Sequence, residues 1–369
     1  MSGRPSITLS DVARRACVST ATVSLALRNS TKIQEQTKER IRTIAAELGY
    51  TPDPSLAKLM SHLRTRRNSG ITGTMIGLCF GPDESMHMKR YLASAVRRAS
   101  ELGYRFSMEL IPQTPEGLER HRQAIWNRGV EGLLFLPSRI PMSAQNLYPW
   151  EHYCVVSVSA NPQTPECNRV LVNWHNGIRR IREQLGERGF RRLGFVLNTS
   201  LDHLFKYLLS SAIGERLSSV EAGLVQPLYY LPAERDLASP HLNPVFRTLV
   251  QQRVHPTTRQ PLEGLEQALV PWYRRNKPDV LVFDCEETAS EGLALLKRAG
   301  VILCPVALLS RSPGSYYAGM EMPLETVAAT AIDVLGQMIQ RGLRGIPDSP
   351  FEQLYRGKWC DGPSLLRPA

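Results

Sequence analysis

Apolar positions in the first fifty residues recur at helical spacing. Leu9, Val12, Ala13 and Ala16 follow Ser10-Asp11 and predict an amphipathic helix of about two turns. Three residues, Cys17-Val18-Ser19, separate it from a second predicted helix near 20–28, for which Ser19 has the chemistry of an N-cap: its hydroxyl can accept from a free amide of the next turn. In that second helix Val23 and Leu27 point one way, while Thr20, Ala21, Ser24, Leu25 and Arg28 point the other. Only a narrow stripe is core. A third amphipathic helix is predicted in EQTKERIRTIAAELGY, where Ile41, Ile44, Ala45 and Leu48 share a face and Gly49 supplies a left-handed stop.

From residue 74 the pattern changes. Apolar runs that read as strands (TMIGLCF, RFSMELI, VEGLLFLP, YCVVSVS, RRLGFVL, LVQPLYYL, DVLVFD, VALLS) are interleaved with amphipathic segments that read as helices (LASAVRRASELGY, RQAIWNRG, GIRRIREQLGERG, KYLLSSAIGERL, LEQALVPWYRR, ALLKRAG). Strands alternating with helices imply parallel sheets covered on both faces, with ligands bound outside the carboxyl ends of the strands. Residues 231–262 interrupt the alternation. Rich in proline and polar groups, they read as a solvated loop excursion.

Composition sharpens this picture mainly through charge. The 369 residues carry a net charge of +11, yet residues 1–67 alone hold 12 basic against 5 acidic side chains. Positive charge gathered at one end suits a module that binds a polyanion. Seven cysteines without a C-x-x-C pair, most among apolar neighbours, suit buried thiols in a reducing compartment rather than a metal site. No run approaches the ~18 apolar residues of a membrane span, and the polar start MSGRPSITLSD lacks the core of a signal peptide. A cytoplasmic protein that needs no membrane is expected. G-x-S-x-G, G-x-x-x-x-G-K-[ST] and H-E-x-x-H are absent and the eight histidines are isolated from each other, so neither a catalytic centre nor a metal or cofactor is expected. His175, beside Trp174, is the one histidine placed where a cleft would be.

Two short helices joined by a three-residue turn, the second presenting small and hydroxylated residues, meet the requirements of a major-groove reader: small side chains let the backbone approach base edges, and the amides at the helix start favour phosphate oxygens. The runs ITLSDVARRACVSTATVSLALRN and TKERIRTIAAELGYTPD resemble the headpiece of the LacI/GalR family of transcriptional regulators, which reads D-V-A-x-x-A-G-V-S-x-x-T-V-S and then T-[RK]-x-[RK]-[IV] up to L-G-Y-x-P. By that resemblance Thr20 and Ala21 take base-contacting places, and Thr8, Ser19, Thr22, Arg28, Thr37 and Tyr50 touch or flank phosphates. Leu25 stands where the family usually carries a guanine-reading Arg, and leucine can meet only a thymine methyl or an apolar groove wall. Arg28, one turn on, takes either that reading role or a phosphate. Cys17 replaces the family's turn glycine, must accept a backbone geometry that glycine accepts more easily, and reads as buried and structural.

In GYTPDPSLAKLMSHLRTRRNSG two prolines precede Leu56, Leu59, Met60 and Leu63 at helical spacing. The resemblance implies a hinge helix that levers an apolar wedge into the minor groove, with Leu59 and Met60 as rival wedges. It also implies a two-lobed, periplasmic-binding-protein-like core of Rossmann-like subdomains. The expected organisation is a helix-turn-helix headpiece at 1–52, hinge and linker at 53–70, and a core at 71–346 with crossovers near 160, 286 and 318. Lobe 1 would hold 71–160 and 287–318, lobe 2 161–286 and 319–346, and 347–369 would form a tail.

The family's usual effector residues are altered here: Val172-Asn173 stands in place of V-x-x-D, Lys206-Tyr207 in place of an Arg entering a helix, and Asp284-Cys285-Glu286-Glu287 in place of N-D-x-x-A. A cleft lined by Asn173, Trp174, Lys206 and Asp284, Glu286 or Glu287 is still suited to a small polar effector such as a sugar or nucleoside. The expectation is therefore a homodimeric regulator, a repressor, of double-stranded DNA with a near-palindromic operator. A reading from a different class, a soluble ligand-binding protein or enzyme with an incidental helical start, leaves the headpiece match unexplained.

Overall fold

The amino-terminal helices form where the periodicity predicts them. In the computed structural model α1 spans Leu9–Ala16, α2 Thr20–Leu27 and α3 Glu35–Glu47. The structure describes residues 9–27, 33–48, 73–80, 85–112, 114–137, 147–160, 165–200, 208–214, 223–232, 244–255 and 261–365. Two compact units emerge, one built on these helices and the other on two sheets. Val12, Ala13, Ala16, Val23, Ala26, Ile41 and Ala45 are buried together, with Val18, Leu27, Ile33, Ile44 and Leu48 packed around them. So small a core leaves little stability to spare, and the precise ends of its helices matter accordingly.

In the larger unit, sheet one runs β12-β5-β4-β3-β1-β2, with β1 Gly73–Cys79, β2 Tyr104–Leu110, β3 Val130–Phe135, β4 Cys154–Ser157, β5 Asn168–Val172 and β12 Glu352–Tyr355. Sheet two runs β13-β11-β10-β9-β6, with β7 and β8 both on β6. Its strands are β6 Arg192–Asn198, β7 Gly223–Leu224, β8 Leu228–Tyr230, β9 Val280–Phe283, β10 Val306–Arg311, β11 Ala318–Glu321 and β13 Lys358–Cys360. Helices α4 (Met86–Glu101), α5 (Pro115–Asn127) and α11 (Leu324–Arg341) accompany sheet one in the chain or in space. Helices α6 (Trp174–Glu187), α7 (Leu208–Gly214), α8 (Pro244–Gln252), α9 (Leu265–Asn276) and α10 (Glu286–Arg298) belong with sheet two. Apart from β13, which pairs antiparallel with β11, the ladders of sheet two are parallel. Its central strands β9 and β10 are accordingly buried throughout, and β9 is wholly apolar.

The hydrogen bonding corrects the expected division into lobes. The first crossover lies at Asn173 rather than near 160, because β5 joins sheet one beside β4. NRVLV escaped the periodicity because it opens on two polar residues. Both are buried, and Arg169 donates to the carbonyls of Ser159 at 2.8 Å and Pro165 at 3.3 Å. Residues 287–318, expected in lobe 1, hold α10 and β10, which bonds to β9 in sheet two. Residues 319–346, expected in lobe 2, hold mainly α11, which packs on α4, β4 and β5 of lobe 1. The remaining crossovers fall at Met322-Pro323 and Arg356-Gly357. Alternation reports element type, whereas sheet membership depends on which partner a strand bonds.

Two further expectations change. Within 347–369, expected to be a tail, β12 pairs with β5 and β13 with β11, adding one edge strand to each sheet. The described part of the 231–262 excursion contains α8, with Phe246 and Leu249 buried, and His255, which is fully buried and stacked on Tyr229 at 4.1 Å between ring centroids. Burial of those rings, invisible to hydropathy averaged over a polar stretch, anchors α8 and the residues after it.

Candidate functional site

The turn between α1 and α2 is built by two interlocking caps. Cys17 has φ 52°; its amide donates to the carbonyl of Arg14 at 3.3 Å, and the amide of Val18 donates to that of Ala13 at 3.1 Å. This is the Schellman pattern of a helix end, which requires one left-handed residue and places the next side chain against the helix. Val18 packs accordingly on the headpiece core. Cys17 itself is exposed, contrary to the buried position expected of it, because the left-handed backbone turns its side chain outward.

Ser19 then caps α2. Its Oγ accepts from the amide of Thr22 at 3.1 Å and lies 2.9 Å from the hydroxyl of Thr22. Val18 before the cap and Val23 after it join the same core, as in a hydrophobic staple. The end of α1 receives a third support from α3, where Arg40 donates to the carbonyl of Ala16 at 3.3 Å. A Schellman end, a capping pair and an arginine clamp over four residues fix the angle between α1 and α2.

This arrangement presents a polar helix start to solvent. Ser19 and Thr20 are exposed and Thr22 is half-buried. Because the two hydroxyls of Ser19 and Thr22 share one hydrogen bond between them, one hydroxyl hydrogen remains for an outside acceptor. Together with the unpaired amides of the first turn of α2, it forms a compact donor array suited to a phosphate oxygen. Thr37 sits half-buried in the first turn of α3, its amide donating to Gln34. Backbone positions for Ala21 and Leu25 lie on α2, but their side chains, and residues Thr8, Arg28, Tyr50, Leu59 and Met60, lie outside the described residues. Sequence reading missed Lys38, buried and ion-paired with Glu35 at 3.0 Å. A lysine three residues after a glutamate was the available signal.

In the core, several expected residues sit at the carboxyl ends of strands, Asn173 and Trp174 after β5 of sheet one and Asp284, Glu286 and Glu287 after β9 of sheet two. Asn173 follows β5 and caps α6, its Oδ1 accepting from the amide of Asn176 at 2.9 Å. Trp174 and His175 are half-buried in the first turn of α6. Asp284 follows β9, is buried, and accepts from the amide of Cys285 at 3.1 Å. Burial first, and the charge of Asp284 second, push the Tyr230 phenol well above its ordinary pKa. Glu286 is already engaged by Ser312, whose amide donates at 2.7 Å, whereas Glu287 is exposed. Lys206 lies outside the described residues. Two residues not anticipated from sequence also meet here: Nε2 of His87, in the first turn of α4, lies 2.7 Å from Oγ of Ser310 at the end of β10. No signal in the chain connects positions 223 residues apart.

Among the described residues no group of three or more His, Cys, Asp or Glu side chains is arranged to hold a metal, and no helix is long and apolar enough to cross a membrane.

Comparison with known proteins agrees with this geometry. Residues 8–53 match the model of the bacterial regulatory proteins of the lacI family. The chain is 27% identical over 170 residues to the HTH-type transcriptional regulator MalR of Streptococcus pneumoniae, covering 43% of this chain and 48% of that protein. It is 26% identical over 213 residues to the HTH-type transcriptional repressor CytR of Escherichia coli, covering 56% and 58%. The matched regions thus span about half the length of these relatives, which are named as regulators rather than enzymes. Among solved structures, the lac repressor dimer bound to operator and the anti-inducer ONPF aligns over 98% of this chain and all of that one, with a TM-score of 0.54 at 16% identity. A complex of the transcriptional regulator CelR with cellobiose aligns over 97% and 99%, with a TM-score of 0.53. The core therefore has the two-lobed, periplasmic-binding-protein-like fold.

Proposed function

We propose that this chain, whose residues 8–53 match the lacI family model, is a sequence-specific DNA-binding transcriptional repressor that acts in the cytoplasm as a homodimer on a near-palindromic operator. The observation that carries this reading is the capped, solvent-facing start of α2, where Ser19 and Thr20 are exposed beside the rigid turn. In this reading Thr20, Ala21 and Leu25 meet base edges; Thr8, Ser19, Thr22, Arg28, Thr37 and Tyr50 hold the backbone; and Leu59 or Met60 wedges the minor groove. A dimer follows because one short helix contacts too few bases for selectivity, and a two-fold pair doubles them with fixed half-site spacing.

The core serves dimerisation and binds a small polar ligand through Asn173, Trp174, Lys206 and one of Asp284, Glu286 or Glu287, the ligand biasing lobe closure. The CelR structure is a complex with cellobiose, which supports a polar, hydroxyl-bearing effector.

Selection from random duplexes by the full chain tests the proposal. Enrichment of an inverted-repeat motif, with affinity that falls steeply as salt rises, is the expected result. Equal retention of all sequences would overturn it.

A further inference from the structure

We propose that His87 and Ser310 form a latch by which the chain's own side chains tie the two lobes of the core together across the ligand cleft. His87 belongs to lobe 1, in the first turn of α4, and Ser310 to lobe 2, at the carboxyl end of β10. Their Nε2–Oγ separation of 2.7 Å leaves no room for a water or ligand atom between them. The bond therefore exists only when the two walls of the cleft are together.

Both partners are held by rigid supports, so the latch reports lobe position rather than side-chain whim. Ser310 is buried and its amide donates to the carbonyl of Asp284 at 2.9 Å. The α4 helix that carries His87 is capped by Ser85, which accepts from Met88 at 3.2 Å. One turn on, Arg90 grips Glu325 with two hydrogen bonds, 2.5 and 2.7 Å, and reaches the carbonyl of Met322 at 3.2 Å. Met322 lies in the second crossover, so the helix bearing the latch is tied directly to the hinge.

The hinge is built to turn. Met322 is fully buried, and a β-carbon placed on Gly177 or Gly357 would come within 2.8 Å of its Cε or 2.7 Å of its Sδ. The second and third crossovers, and the first turn of α6 that follows the first, thus meet at one unbranched thioether, which changes rotamer readily. The amide of Asn173 in the first crossover also donates to Tyr355, just before the third, at 2.7 Å. With a soft pivot at one end and this polar bond at the cleft wall, opening of the lobes requires the bond to break, and a molecule entering the cleft must exchange it for bonds of its own.

The proposal rests on the core alone and is tested without DNA, so it stands or falls separately from the regulatory reading. Amide hydrogen exchange is measured on the full chain for peptides covering 86–92 and 306–313. His87→Ala and Ser310→Ala are each expected to accelerate exchange there about 2- to 10-fold, the equilibrium factor of one net hydrogen bond. The double variant should exchange no faster than the faster single one, because both remove the same bond. His87→Gln, which keeps a side-chain donor, should lie closer to wild type than His87→Ala while both retain the wild-type melting temperature. Exchange at wild-type rates in the alanine variants, effects that multiply in the double variant, or a glutamine variant as fast as the alanine one would each overturn the latch.

Discussion

The guanidinium of Arg40, on α3, donates to the carbonyl oxygen of Ala16, the last residue of α1, across 3.3 Å. The end of one headpiece helix is thus satisfied by a side chain from another, at the point where the turn toward α2 begins. Removing it by Arg40→Ala leaves a helix-terminal carbonyl to water and frees the turn. A loss of about 1–2 kcal/mol in headpiece stability is expected, read by thermal unfolding, together with weaker binding to all duplexes as α2 loses its fixed angle. An unchanged melting curve would show that the clamp contributes nothing.

Ser19 has two separable roles, a cap and a phosphate donor. Ser19→Ala should cost about 1 kcal/mol of headpiece stability and weaken DNA binding. Ser19→Asp keeps a capping acceptor, and its charge suits the helix start, so stability should be retained or raised. Its carboxylate repels phosphate, however, and binding should fall further than in the alanine variant. If Ser19→Asp binds DNA as the wild type does, no phosphate lies near this residue.

Cys17 occupies a left-handed position at φ 52° with its side chain in solvent. Glycine tolerates that backbone without a β-carbon clash, so Cys17→Gly should stabilise the headpiece by up to about 1 kcal/mol. Cys17→Val, β-branched, should destabilise it by more. A melting temperature that drops in the glycine variant would contradict the Schellman reading of this turn.

Ala21 and Met60 test the docking register. Ala21→Arg should change the preferred operator half-site, since a long forked donor reaches base edges that a methyl group cannot. An unchanged selected motif would place Ala21 away from the groove. Met60→Gly should lower specific affinity more than nonspecific affinity, and equal loss of both would remove the wedge role.

Glu325 carries a pH signature. Its hydrogen bonds from Arg90 hold the carboxyl below its ordinary pKa. A carboxylate depressed in the folded state adds stability that is present above its unfolded pKa, about 4.3, and is lost as the pH falls through the lower folded value. The melting-temperature difference between wild type and Glu325→Gln should therefore be constant above about pH 5 and shrink below about pH 4. A difference independent of pH down to acid unfolding would mean the ion pair with Arg90 does not form.

Local chemistry made most of the headpiece legible. Leu9 to Ala16, the Ser19 cap and the Ile41–Ala45 stripe depend on residues within a turn or two of one another, and the structure has each where spacing puts it. Hidden features involve distant partners or unusual surroundings. Asn168 and Arg169 make β5 look polar, but backbone carbonyls and neighbouring strands receive them in the interior. Glu286 accepts from the amide of Ser312, 26 residues on, a partner that no local pattern points to.

The amino-acid order by itself determined the element types, the capped turn of the headpiece, the α/β character of the core and the exposed chemistry at the start of α2. Each arises from interactions within a few residues, where chain geometry leaves little choice. Tertiary structure alone decided that α11 returns to lobe 1, that the last strands close both sheets, and that His87 meets Ser310. Those outcomes depend on which of several similar strand edges and helix faces come together, a choice settled by the packing of the whole core rather than by any short segment.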